Sequence, residues 1–222
     1  MHSGHRQRMR DRIKEYGLES LNDHEILEYL LYFVQPRVNT NESAHRLIDE
    51  FGSFSRVFDR NADSLASVKG IGPAGAQFLS LIPEICRRYY LGKYSDKGQQ
   101  FTMEKILNYL KSYYLGVKDE IAVMMMFDAQ MDLICTKTVA KGDAKEVHVQ
   151  KKNILLEVIQ NNAAYVVFSH NHPSNKNEPS AEDMVLTNQL VTLLKTVNVF
   201  LIDHLIFCPN GSYYSFASKQ TL

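Results

Sequence analysis

Neither sign of charge prevails in this sequence: 25 Lys and Arg stand against 25 Asp and Glu, so the formal net charge is zero. No global field draws such a chain to nucleic acid or to an anionic membrane, although local basic patches remain compatible with it. Cysteine is scarce as well. The 3 cysteines, Cys86, Cys135 and Cys208, are far apart and lie among apolar neighbours. An odd, dispersed set builds no disulfide framework, so reduced thiols in an intracellular protein are expected. No apolar run approaches the length of a membrane span, and the opening MHSGHRQRMRDRIKEYG lacks the apolar segment of a secretory signal. A cytoplasmic protein without a membrane partner is therefore expected. Repeats of fixed period and low-complexity tracts are missing too. What is there is an ordinary globular composition, 45% hydrophobic over 222 residues, enough for one large domain or two modest ones.

The pattern changes near Gly98. Before it, HRQRMRDRIKEYG, DHEILEYLLYFV behind a cap at Asn22, and TNESAHRLIDEFG with Thr40 or Asn41 as cap and Gly52 as stop read as short amphipathic helices. NADSLASVKGIGPAGAQFLSLIPEICRRYY reads as a helix, a Gly-rich turn and a second helix, and the polar KYSDKGQQ at 93–100 reads as a linker. Beyond it, helix FTMEKILNYLKSYY precedes EIAVMMMFDAQMDLICTKTVA, two strands joined by a turn around Asp128 to Gln130. Then come helix HVQKKNILLEVIQNNA, strand YVVFSH, helix SAEDMVLTNQLVTLLKTV, strand VFLIDHLIFC and a short strand SYYSF after the PNG turn. This alternation predicts a small all-helical domain over 1–97 and an α/β domain with a mixed sheet over 98–222.

The run YVVFSHNHPSNKNEPSAED, Tyr165 to Asp183, carries the chemistry. If its strand persists through His172, the imidazoles of His170 and His172 point to one side, because strand side chains repeat with period two. Pro173 ends the strand. Ser180 suits the N-cap of the next helix and Asp183 the third helical position, that of the acidic residue in a capping box. Two imidazoles and one carboxylate are the ligand types of a mononuclear zinc site, and three protein ligands leave one tetrahedral position for water. The plainer alternative is that Asp183 only caps its helix and the histidines are loop residues. The Ser180 hydroxyl can cap, and can also face a developing oxyanion. A base beside the metal has several candidates, Glu104, Glu120, Glu146, Glu157, Glu178 and Glu182, of which Glu120 stands at the start of an otherwise apolar strand. The polar stretch SNKNE between Pro173 and Pro179 is expected to form a fixed rim that favours an extended peptide.

A second feature is VKGIGPAGA, Val68 to Ala76. Backbone N–H groups at such a helix start can take a phosphate oxygen, so Gly70 and Gly72, with Lys69, Arg87 and Arg88 as auxiliary cations, are candidate DNA contacts. The glycines equally suit close helix packing. The turn is not a nucleotide-binding P-loop, because the Lys-Ser/Thr pair is absent, nor a dinucleotide fingerprint, because no strand precedes it.

The segments SHNHPSNKNEPSAEDMVLT, VFLIDHLIF and YYSFA resemble bacterial RadC-type proteins of the JAMM (MPN-plus, Mov34-like) metalloprotease superfamily, and the resemblance covers nearly the whole chain. It implies a JAMM-type mixed sheet flanked by helices, behind a helical region ending in a helix-hairpin-helix-like unit at about 64–90. It implies one zinc ion held by His170, His172 and Asp183, with Ser180 on the oxyanion side and Glu120 as the upstream glutamate. The activity implied is a zinc-dependent peptidase or isopeptidase acting on a peptide or protein. The alternative is a DNA-associated repair or accessory module that binds DNA weakly through the helix-hairpin-helix-like region. Asn175 stands where the family has glycine, and asparagine also tolerates left-handed backbone. The stretch GDAKEVHVQKK at 142–152 lacks the family's Gly-Thr and Pro-Arg-Glu elements, so a different substrate or oligomer surface is expected there.

Overall fold

A computed structural model of the chain describes residues 3–36, 38–94, 100–142 and 150–219. Most of the 93–100 linker and most of the 142–152 stretch lie outside the described residues. The chain falls into two compact units, Met1–Cys86 and Arg87–Leu222.

The first unit contains α1 (Ser3–Tyr16), α2 (Asp23–Tyr32), α3 (Thr40–Phe51), α4 (Phe54–Phe58), α5 (Ala62–Ala66) and the start of α6 (Pro73–Gly92). Local chemistry sets the boundaries. Asn22 and Glu25 form a capping box on α2, and Gly52 ends α3 in the left-handed region at φ 88. The cap of α3 is Asn39 rather than Thr40 or Asn41: its side chain accepts from Asn41 N at 3.2 Å, while Thr40 is buried inside the first turn. Leu27, Leu31, Leu47, Val57, Leu65 and Leu79 form the core of this unit.

The second unit contains α7 (Met103–Tyr113), β1 (Ile121–Phe127), β2 (Leu133–Lys141), α8 (Lys151–Gln160), β3 (Tyr165–Asn171), α9 (Ala181–Lys195), β4 (Phe200–Phe207) and β5 (Tyr213–Ser215). The sheet order is β2-β1-β3-β4-β5, with β3 and β4 parallel and every other pair antiparallel. A sheet covered on both sides has uniformly apolar central strands, which explains IAVMMMF in β1. Met124 and Met126 pack with Phe168, Ile154 of α8 and Leu190 of α9. Val123, Met125 and Phe127 pack on the other side with Ile106 and Leu110 of α7. This mixed α/β unit, following a helical region, places the carboxyl end of β3 beside the start of α9.

Candidate metal centre

Strand geometry delivers the two imidazoles. The strand ladder of β3 ends at Asn171, one residue past the YVVFSH segment, and His172 N donates to Phe207 O at 2.8 Å, so backbone pairing with β4 reaches His172. His170 is buried and His172 half-buried, with their Nε2 atoms 3.0 Å apart. From the first turn of α9, Asp183 presents Oδ1 at 3.1 Å from His170 Nε2 and Oδ2 at 3.5 Å from His172 Nε2. The capping box also forms: Asp183 Oδ2 accepts from Ser180 N at 2.8 Å and from Ser180 Oγ at 2.7 Å. One carboxylate therefore serves both the cap and the cluster.

Glu120 arrives by sheet pairing. Ala122 lies opposite His170 in the β1–β3 ladder, so Glu120, two residues earlier, comes level with His172. It precedes β1 rather than opening it, and its neighbours hold it. The Asn171 side chain accepts from Ile121 N at 2.9 Å and donates to Asp119 O at 3.0 Å, while Gly142 N donates to Glu120 O at 3.0 Å. Glu120, His170 and His172 each offer a ligand atom, all within 4.8 Å of one another.

The hydrogen-bond partners assign the ring protons. His172 Nδ1 lies 2.7 Å from Lys176 O, which only accepts, so Nδ1 carries the proton and Nε2 keeps its lone pair. Thr187 Oγ1 lies 2.7 Å from Asp183 O, and two oxygens that close need the hydroxyl proton between them. Its remaining contact, 2.6 Å to His204 Nδ1, must then be donated by the ring. His204 Nε2 is left as acceptor for His170 Nδ1 at 2.9 Å, which turns the lone pair of His170 Nε2 toward His172 and Asp183. Two imidazole lone pairs and a carboxylate thus converge, a donor set that fits a cation.

The electrostatics agree. Burial opposes the charge on Asp183 more than any other single effect, yet the adjoining His170 and His172 rings, when they carry a proton on Nε2, and the Ser180 hydroxyl together hold its carboxyl well below the usual carboxylate range. The hydrogen bond to Asp183 raises His172 above its ordinary value against the opposing effect of burial. Burial lowers His204, which is held neutral with Phe216 stacked on it at 4.6 Å. The rim beside the cluster is fixed by Asn175, left-handed at φ 60, whose Oδ1 accepts from Asn210 N at 3.1 Å. An open groove lined by Lys151, Val185, Asn188 and Thr192 includes none of these residues.

Residues 101–221 match the family described as RadC-like JAB domain, and residues 2–77 match the one described as UPF0758 N-terminal. The chain belongs to the RadC-like family. A UPF0758 protein of Acinetobacter baumannii ATCC 17978 is 33% identical over 217 residues, covering 97% of this chain and 92% of its own length. One from Paraburkholderia xenovorans LB400 is 34% identical over 208 residues, covering 94% of this chain and 82% of its own. The family brings a JAMM/MPN-like fold, to which the five-stranded mixed sheet corresponds. No helix among the described residues is long and apolar enough to cross a membrane.

In this RadC-like chain the Gly-rich turn is clasped by its own unit. Gly70 has φ +93, and a Cβ there would meet Ser43 Oγ at 2.4 Å. With its amide oriented to satisfy both contacts, Gln35 accepts from Gly72 N at 2.6 Å and donates to Gly70 O at 3.3 Å. Arg46 Nε donates to Lys69 O at 2.9 Å. Lys69 lies in the first unit, Arg87 and Arg88 in the second. His204 and Thr187 escaped the sequence reading, although a histidine inside the apolar strand FLIDHLIF is a visible signal, as is a threonine one helical turn after Asp183.

Proposed function

We propose that this protein is a zinc-dependent hydrolase of amide bonds in peptides or proteins, with His170, His172 and Asp183 holding one zinc ion. The observation that carries this reading is the convergence of two Nε2 lone pairs and the Asp183 carboxylate within 3.0 to 3.5 Å, with the Glu120 carboxylate alongside. A zinc ion bound there would supply Lewis acidity to a water molecule and to the scissile carbonyl. Glu120 is the base: its carboxylate takes the proton of the attacking water and returns it to the departing amine nitrogen. Ser180 Oγ, at the mouth of α9, donates to the oxyanion, for which its proton must leave Asp183 Oδ2. Asn171 keeps Glu120 in place by bridging Asp119 and Ile121. Metal analysis of protein purified without added metal tests the proposal. About one zinc per chain is expected, and metal-poor protein that takes up none on titration overturns it.

A further inference from the structure

We propose that His204 and Thr187 are positioning residues that set the tautomer of His170, so that its metal-facing nitrogen is kept unprotonated. This rests on the zinc reading for its purpose, but the relay itself is a property of the protein alone. Three contacts define it: Thr187 Oγ1 to Asp183 O at 2.7 Å, Thr187 Oγ1 to His204 Nδ1 at 2.6 Å, and His204 Nε2 to His170 Nδ1 at 2.9 Å. All the atoms belong to buried residues; His204 is 0% exposed and Thr187 1%. Because no water reaches them, each proton has one acceptor and each choice forces the next. The hydroxyl proton is fixed on the Asp183 carbonyl by the helix geometry of residues one turn apart. His204 must therefore donate through Nδ1 and accept through Nε2, and His170 must donate through Nδ1.

The relay chooses between two states of nearly equal covalent cost. An imidazole in water favours a proton on Nε2, and with Asp183 Oδ1 at 3.1 Å such a proton would have an acceptor ready. That tautomer would put hydrogen where the ligand lone pair is needed. The relay opposes it, and ties the backbone of one ligand, Asp183, to the ring of another, His170. His204 itself is held by its stack on Phe216 at 4.6 Å with the rings 6° from parallel, and by Phe168 edge-on at 5.0 Å. Outer partners of this kind orient ligating imidazoles and set metal affinity.

Thr187→Val is close in shape and removes the acceptor for His204 Nδ1 together with the hydroxyl's own bond to Asp183 O. His204 then moves its proton to Nε2, donates to His170 Nδ1 and forces the His170 proton onto Nε2. The experiment is ring-nitrogen NMR of chelator-treated protein labelled at histidine, under alkaline conditions where the rings are neutral, paired with zinc affinity by chelator competition. Wild type is expected to show His170 protonated at Nδ1, Thr187→Val at Nε2, and Thr187→Ser at Nδ1 again. Zinc affinity should fall about 10–100-fold in Thr187→Val and recover in Thr187→Ser. His204→Gln, whose oxygen reaches the place of Nε2, should keep more affinity than His204→Asn, whose amide reaches only the place of Nδ1. His170 protonated at Nε2 in wild type, or an unchanged tautomer in folded Thr187→Val, overturns the proposal. Correct tautomers in a wild type that binds no zinc uphold the relay and remove the zinc reading instead.

Discussion

Asp183 and Ser180 hold each other across the first turn of α9. The Asp183 carboxylate accepts from Ser180 N at 2.8 Å, and Asp183 N donates back to Ser180 Oγ at 3.1 Å. Only Oδ2 serves this exchange, while Oδ1 faces His170 Nε2 at 3.1 Å. The two uses can be separated. Asp183→Asn keeps an acceptor for the cap and loses the charge, so zinc affinity should collapse while the cap survives in chelator-treated protein. Asp183→Ala loses the cap as well and should lower stability by a further ~0.5–2 kcal/mol. Denaturant titration and zinc titration of both variants check this.

Glu120→Gln should leave zinc content unchanged and reduce amide-hydrolysis turnover about 10²–10⁴-fold, the usual contribution of a general base. Turnover at the wild-type rate with zinc in place would remove Glu120 from the mechanism.

The raised His172 pKa predicts an opposite pH response of the chelator-treated and zinc-loaded proteins. Since Asp183 lifts the folded-state value above the ordinary 6.5, the protonated ring stabilises the chelator-treated protein fully below that pH. The contribution is lost as pH rises through the raised value. Melting temperature should therefore fall as pH rises past 6.5 through the raised value without zinc, whereas zinc affinity should rise over the same range, because the proton competes for the same nitrogen. Asp183→Asn should flatten the melting profile.

Gly70→Ala should destabilise the protein by ~1–3 kcal/mol, since the position combines a left-handed φ of +93 with Ser43 Oγ 2.4 Å from the added carbon. Gly72→Ala should cost less, because Gly72 is not left-handed and the nearest atom, at the end of the Gln35 amide, is 3.3 Å away. Thermal melts rank the two. A salt titration of DNA binding by both variants shows separately whether the turn touches phosphate.

Local rules made part of this arrangement legible in the sequence. Period two in β3 put His170 and His172 on one side, and the S-x-x-D spacing gave the capping box on α9. The end of β3 was less legible, because Pro173 marks where the chain must turn but not where the ladder stops. Local rules alone left Glu120 one carboxylate among several, and the family resemblance singled it out, since its place depends on the pairing of Ala122 with His170 across distant segments. His204 was harder still. Its partners come from β3 and α9, and nothing local to β4 states that an inward-facing histidine there meets Thr187 rather than solvent.

The β1–β3 pairing has a kinetic consequence. Glu120 and His170 are separated in sequence by β1, β2 and α8, and β4 must dock on β3 before His204 can reach His170. Contacts between distant segments form slowly, because the loops they close lose entropy before the contacts are made. The helical unit can fold on local contacts well before the sheet has closed. During refolding, zinc capture would thus be a clock for the last assembly step of the sheet, lagging behind the recovery of helix.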